Sequence, residues 1–214
     1  MNGQWGRIVK IEKFVIGIIS TNCYLVINDD KKEAVVIDPG ACPGYFTDHI
    51  RSEGLTIKAV LLTHGHFDHI LGLGKFLKEF DVPVYAHEAE KVLLTDGRVN
   101  DSRSYTAGYE FHNAVYVKDG DKLGLAGMEF EVLHTPGHTC GGVCYYVQKA
   151  GVLFSGDTLF QNSIGRTDME TGDTAALINS IREKLLVLPE DTVVYPGHMG
   201  ETTIVHEKHN NPYI

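Results

Sequence analysis

Apolar positions along most of this chain fall in short bursts, the pattern of strands more than of long helices. Residues 8–19, 22–28 and 33–38 are rich in Ile, Val and Tyr. The last two flank Asn28-Asp29-Asp30-Lys31-Lys32, a hairpin-like turn, and Asp38-Pro39-Gly40 stops the third strand. After Pro43, Phe46 and Ile50 stand four residues apart, which predicts a short helix ending at Gly54. Residues 58–63 form a near-continuous apolar run, the mark of a buried strand. A helix is expected over 69–79, where Ile70, Leu73 and Leu77 share one stripe. A short strand follows at 81–85 and a helix through 87–94. Residues 96–114 are polar and irregular, as in a loop lying over a site.

Strand patterns return at 128–135, 142–148, 151–155 and 192–195. One amphipathic helix is expected over roughly 173–186, with Asp173 as N-cap and Leu177, Ile181 and Leu185 on one face. Strand–strand–helix segments in both halves predict a layered α/β sandwich, expected as a single domain over 1–214, without an obvious internal repeat.

Composition narrows the partners. A chain of 214 residues can bury a core without disulfide staples. Its formal net charge of −9 argues against nucleic acid and against an anionic membrane surface. The first ten residues, M-N-G-Q-W-G-R-I-V-K, lack the apolar core of a signal peptide, and 14–19 is too short to span a bilayer. Cys23, Cys42, Cys140 and Cys144 suggest no disulfide framework and read as reduced thiols of a cytoplasmic protein.

Four predicted strands end in potential metal ligands. The strand at 58–63 runs into His64-Gly65-His66-Phe67-Asp68-His69, and that at 128–135 into Pro136-Gly137-His138. The strand at 151–155 runs into Gly156-Asp157, and that at 192–195 into Pro196-Gly197-His198. Ligands at neighbouring strand ends can converge, and Gly or Pro beside each lets the backbone turn sharply. Imidazole with carboxylate, and no thiolate, suits zinc, iron or manganese at a catalytic site. Five histidines and two aspartates exceed the needs of one tetrahedral ion but suit two ions sharing a carboxylate.

The set H-x-H-x-D-H, T-P-G-H-T (135–139), S-G-D-T-L-F (155–160) and P-G-H (196–198) resembles the metallo-β-lactamase-fold hydrolase superfamily. That resemblance implies an αββα sandwich, two mixed β-sheets flanked by helices, with the site along one edge. It implies that His64, His66 and His138 hold a first metal and Asp68, His69 and His198 a second, bridged by Asp157. Two divalent ions are expected, zinc first, with iron or manganese also suited. Residues 156–168, G-D-T-L-F-Q-N-S-I-G-R-T-D, and the closing N-P-Y-I resemble the short relatives of glyoxalase II, which hydrolyses S-D-lactoylglutathione. Glyoxalase II commonly carries His at the position of Gly65. Full-length glyoxalase II continues into a glutathione-gripping helical domain beyond the point where this sequence stops, which leaves the thiol carrier open.

The expected chemistry is attack of a metal-bound hydroxide on a thioester carbonyl, with Asp68 orienting the nucleophile and taking up its proton. A thiolate leaves with little protonation, whereas an amide nitrogen needs a committed donor. Arg166 is either a cation for a substrate carboxylate or the partner of an acid such as Asp168. A small-molecule thioester is the expected partner, on a monomer or homodimer. Alternatives are a mononuclear-iron persulfide dioxygenase, which G-R-T-D also resembles, a metallo-hydrolase of another ester or amide, and a non-catalytic metal-binding protein. Asp38 is expected to orient backbone or a ligand histidine, and His134 to stand behind His138. Tyr105 and Tyr109 are candidate pocket walls, and Tyr145 and Phe160 read first as core.

Overall fold

A computed structural model describes residues 9–214. The N-terminal reading, and the first residue of the strand expected at 8–19, lie outside the described residues. The first half builds one six-stranded sheet from β1 (Val9–Ile16), β2 (Thr21–Asn28), β3 (Glu33–Ile37), β4 (Thr56–Leu61), β5 (Val84–His87) and β6 (Ala114–Val117), in that order. β1, β2 and β3 pair antiparallel, whereas β3 to β6 run parallel. The second half builds the other from β7 (Lys122–Leu125), β8 (Met128–His134), β9 (Val143–Val147), β10 (Val152–Gly156), β13 (Val193–Pro196) and β14 (Thr202–Thr203). A small hairpin, β11 (Leu159–Phe160) and β12 (Ser163–Ile164), stands apart. In the second sheet only β10 and β13 pair parallel.

The period of two along each strand sorts the side chains into separate apolar layers. From β2, Tyr24 and Val26 turn inward and meet Phe130, Val132, Tyr145 and Phe154 of the facing sheet. Leu25 and Ile27 turn outward, onto Phe46 and Ile50 of α1 (Gly44–Ser52) and Phe76 of α3 (Leu73–Glu79). On the other side, Cys144, Tyr146 and Leu153 pack against Leu177, Ile181 and Leu185 of α5 (Thr174–Ser180) and its continuation. The result is the expected four-layer αββα sandwich of two mixed sheets. Full burial of each such Leu, Ile or Phe contributes about 1.5–3 kcal/mol. No described helix is long and apolar enough to cross a membrane.

Some elements differ from the sequence expectation, each for a local reason. The helix expected at 69–79 is two, α2 (Phe67–Ile70) and α3, because Gly72 N–H donates to Pro39 O (3.0 Å) and bends the chain against that turn. The helix at 87–94 is a 3₁₀ turn (Glu88–Glu90) followed by α4 (Lys91–Leu94). β6 and β7 emerge after the 96–114 loop, in a stretch for which no strand was expected, since both are short edge strands with exposed positions that blur the apolar pattern. The polar C-terminal helix α6 (Ile204–Asn210) was also not legible. The buried Glu207 carboxylate ties it down, accepting bonds from Thr202 Oγ1, Asn162 N and Asn211 Nδ2. The last turn of the α5 helix widens to an i→i+5 pitch at Leu186 N–H to Ile181 O.

Gly137 shows how packing reaches the site. Its φ of +137° and a Cβ position 2.3 Å from Leu177 N exclude a side chain, so α5 docks directly on the turn before His138. Asp173 anchors that docking: its N–H donates to Gly137 O (2.8 Å) and its carboxylate accepts from Ala176 N (3.0 Å). Asp173→Ala should therefore cost about 1 kcal/mol of stability through the lost cap, read as a lower urea midpoint at unchanged slope.

Candidate metal centre

The strand ends of both sheets meet along one edge of the sandwich. Cross-sheet hydrogen bonds pin them there: Val143 N to Thr63 O (2.9 Å), Tyr145 Oη to Leu62 O (2.9 Å), Tyr24 Oη to Pro196 O (2.7 Å) and Asn22 N to Gly197 O (2.7 Å). β4 delivers His64, His66, Asp68 and His69, β8 delivers His138, β10 delivers Asp157 and β13 delivers His198. All seven come together. Ligand atoms of His64, His66 and His138 lie within 4.8 Å of one another, as do those of Asp68, His69 and His198 and those of His64, His69 and Asp157.

Asp157 faces both groups. Its Oδ1 is 3.4 Å from His69 Nε2, and its Oδ2 is 3.6 Å from both His138 Nε2 and His198 Nε2. His66 Nδ1 and His138 Nε2 stand 2.9 Å apart. The buried Nε2 atoms of His64 and His69 and Oδ1 of Asp157 have no hydrogen-bond partner. Each such buried polar atom costs about 1–3 kcal/mol if nothing satisfies it. Their convergence in a nitrogen and oxygen donor set fits divalent cations.

The electrostatics split the cluster in two. Burial, with neighbouring imidazoles, lowers His64 well below the ordinary range and His66 to about 3, so both are neutral with free lone pairs. For His69, burial opposes charge, but Asp68, Asp38 and Asp157 outweigh it and raise its pKa well above normal. His198 is raised against its own burial by its bond to Asp68 and by Asp157. Burial works against ionisation of Asp68 and Asp157 too, yet His69 above all holds both below the usual carboxylate range. His64 and His66 are thus neutral imidazoles, whereas Asp68, His69 and His198 carry paired charge.

Residues behind the cluster hold it in place. Asp38 does what the sequence suggested: Oδ2 accepts from Thr63 Oγ1 (2.6 Å) and sits 2.9 Å from His69 Nδ1, while Oδ1 accepts from Thr63 N (2.8 Å). Thr21 Oγ1 donates to Asp68 Oδ2 (2.6 Å), and His138 Nδ1 lies 2.7 Å from Arg166 O. No motif pointed to Thr21, 47 residues from its partner. Glu90 was also missed. It is fully buried, and burial pushes its carboxyl up to about 7 against the pull of its hydrogen bonds.

Other expectations change. The Arg166 side chain is exposed and forms a two-point pair with Asp168 (2.7 and 2.8 Å), so only its carbonyl touches the cluster. His134 stacks on His87 (3.9 Å) and its Nε2 lies 3.0 Å from Cys140 O, bracing the loop after His138 without touching that ring. Cys140 sits in that loop, not in a strand, and is only partly buried, whereas Cys23, Cys42 and Cys144 are buried, and all four are free thiols. Tyr105 is half exposed and stacks on Phe67 at 4.2 Å, and Tyr109 packs against the apolar layer under α1 and α3. Tyr145 and Phe160 are buried. A cavity of about 440 Å³ beside Lys31, Met128 and Tyr146 contains none of the cluster residues.

This αββα frame with a His/Asp cluster at its edge defines a metal-site protein of a widely used architecture. The chain belongs to the metallo-beta-lactamase superfamily, whose family model matches residues 16–198. It is 41% identical to the probable metallo-hydrolase YqgX of Bacillus subtilis, over 96% of this chain and 98% of that one. It is 36% identical to the hydroxyacylglutathione hydrolase GloC of Haemophilus influenzae, again over 96% and 98%. Among solved structures, the BLEG-1 B3 metallo-beta-lactamase superposes with a TM-score of 0.90 at 43% identity, over 95% and 99% of the two chains. TTHA1623 in a di-iron-bound form gives 0.84 at 34% identity, over 95% and 100%.

Asp38 fixes the ring of His69, so Asp38→Ala should weaken metal uptake by the Asp68–His69–His198 group about 10–100-fold. Zn²⁺ titration of the chelator-stripped protein checks this, and unchanged affinity would remove Asp38 from the site.

Proposed function

We propose that this protein is a two-metal hydrolase that cleaves a thioester of an anionic thiol, such as S-D-lactoylglutathione or a related hydroxyacyl thioester. The observation that carries it is the Asp157 carboxylate standing between two three-residue groups of ligand type. Zinc is the first candidate for both positions, and the di-iron form of TTHA1623 supports iron as the second. Bound divalent cations would supply an activated water and polarise the scissile carbonyl.

The protein's own groups fit a thioester. Water adds to the carbonyl carbon, the C–S bond breaks, and the sulfur leaves as a thiolate whose conjugate acid has a pKa of about 8.5. Asp68, oriented by Thr21, His69 and His198, is placed to accept a hydrogen bond from that water. Being held well below the usual range, it is an orienting acceptor and a poor store for a proton. An amide nitrogen must gain a proton as it leaves, which a thiolate need not. This disfavours lactam cleavage, the second reading that the likeness to BLEG-1 raises. The hydrolase name of the GloC relative supports the thioester.

A groove of about 260 Å³ lies beside the cluster, lined by Arg98, Val99, Asp101, Arg166, Met169 and Glu170. Two contacts place it there: Arg166 O on His138, and Asn100 O accepting from Phe67 N (2.9 Å). Both arginines rest on nearby acids, Asp96 and Asp168, in pairs whose guanidinium sides are open to water and weakened by its screening. A substrate carboxylate can therefore take over either guanidinium at little cost. Four free thiols fit a reducing compartment such as the cytoplasm.

The metal-analysed protein should contain two ions per chain and turn over S-D-lactoylglutathione or another thioester in preference to a β-lactam. One iron per chain with oxygen uptake on glutathione persulfide would overturn this in favour of the dioxygenase. Arg166→Ala should raise KM for an anionic thioester about tenfold or more with kcat nearly kept, the size expected for a charged hydrogen bond. An unchanged KM would leave Arg166 as the partner of Asp168 alone.

A further inference from the structure

Glu90 is a buried carboxylate far from every motif in the sequence, in the 3₁₀ turn between β5 and α4. Its Oε2 accepts from Gly65 N (2.7 Å). Its Oε1 accepts from Gly141 N (2.9 Å) and from Thr139 Oγ1 (2.5 Å). Gly65 lies between His64 and His66, and Thr139 and Gly141 follow His138 directly. All three donors therefore belong to the two loops that carry His64, His66 and His138. Gly65 directly adjoins both His64 and His66, whereas Asp68 and His69 follow in the first turn of α2, and the loop of His198 makes no bond to Glu90.

The packing around Glu90 is as specific as its bonding. A Cβ on Gly65 would lie 2.9 Å from Glu90 Oε2 and 2.8 Å from Leu93 Cβ. A Cβ on Gly141 would lie 2.5 Å from Glu90 N. The absence of a side chain at Gly65 is thus the space into which Glu90 fits. Glu90 and Gly65 form one device: a carboxylate joins a loop of the first sheet to a loop of the second, and a missing side chain admits it.

We propose that Glu90 is the positioning residue of the His64–His66–His138 group, setting the separation of its two loops and so its affinity for a metal ion, while leaving the Asp68–His69–His198 group alone. This rests on the reading of the cluster as a two-metal site. The carboxylate matters because it presents acceptors on both oxygens. A glutamine has one acceptor oxygen and one donor amide, so it can serve the Gly65 side or the Thr139–Gly141 side but not both. The displaced loop is then free to move its histidine, and hydrogen bonds that orient ligand groups are typically worth 10–100-fold in metal affinity.

The test compares wild type, Glu90→Gln and Thr139→Val, each stripped of metal and titrated with Zn²⁺. Calorimetry counts the binding events, and histidine ¹⁵N NMR shows which imidazoles take up the ion. Glu90→Gln should weaken uptake at His64, His66 and His138 about 10–100-fold, with uptake at His69 and His198 changed less than about threefold. Thr139→Val keeps both backbone bonds to Glu90 and most of the volume, so it should fold and show the same selective weakening on a smaller scale. It decides the matter if Glu90→Gln does not fold. Equal weakening of both groups, or a lower melting temperature with neither group weakened, would overturn the proposal by reducing Glu90 to a general brace. Failure of wild type itself to bind two ions would instead overturn the two-metal reading.

Discussion

Donor atoms without partners, buried where two sheets meet, are the constraint around which this molecule is organised. His64 Nε2, His69 Nε2 and Asp157 Oδ1 are cut off from water and unbonded by protein. Left so, they cost stability, because a buried polar group loses its hydration and nearby charges make up only part of the loss. They are tolerable because they face one another, where one cation can satisfy several at once. Apolar burial elsewhere offsets the arrangement: three separate layers of packed side chains hold the two sheets and their helices in register.

The sandwich suits this task because its two sheets end at the same edge. Neither sheet has a complete donor set. The first supplies four of the seven side chains through the turn after β4, and the second supplies three through the turns after β8, β10 and β13. Cross-sheet bonds such as Tyr145 Oη to Leu62 O fix the edges together at backbone level, so the side chains need little freedom to converge. Buried carboxylates then brace the turns from behind: Asp38 at Thr63 and His69, and Glu90 across the loops around Gly65 and Gly141. Each satisfies backbone N–H groups that the sharp turns leave without strand partners.

The charge distribution gives the two ligand groups different characters. His64 and His66 are kept neutral by burial, while His69 and His198 are drawn toward the charged form by Asp68 and Asp157. A cation meets His64 and His66 as neutral imidazoles, whereas at His69 and His198 it competes with protons that Asp68 and Asp157 favour. The aspartate between them faces both groups.

How much of this was written in the sequence follows from where the information lies. The seven candidate ligands that the fold brings together were all legible, since metal chemistry suits few residue types and the turn that presents them is local: H-x-H-x-D-H, P-G-H and G-D each fit within one strand end. Most strands and the α5 helix were legible for the same reason, as their periodicity is contained in neighbouring residues. Thr21, Glu90 and Glu207 were not, because each acts through partners brought together only by folding, 47 residues away for Thr21 and 25 to 51 for Glu90. Edge strands β6 and β7 escaped because half-exposed positions carry little hydrophobic signal. The sequence alone determined which atoms can bind a cation. Only the tertiary structure decided how far apart they stand and what holds them there, because those distances are set by contacts between residues that have no relation along the chain.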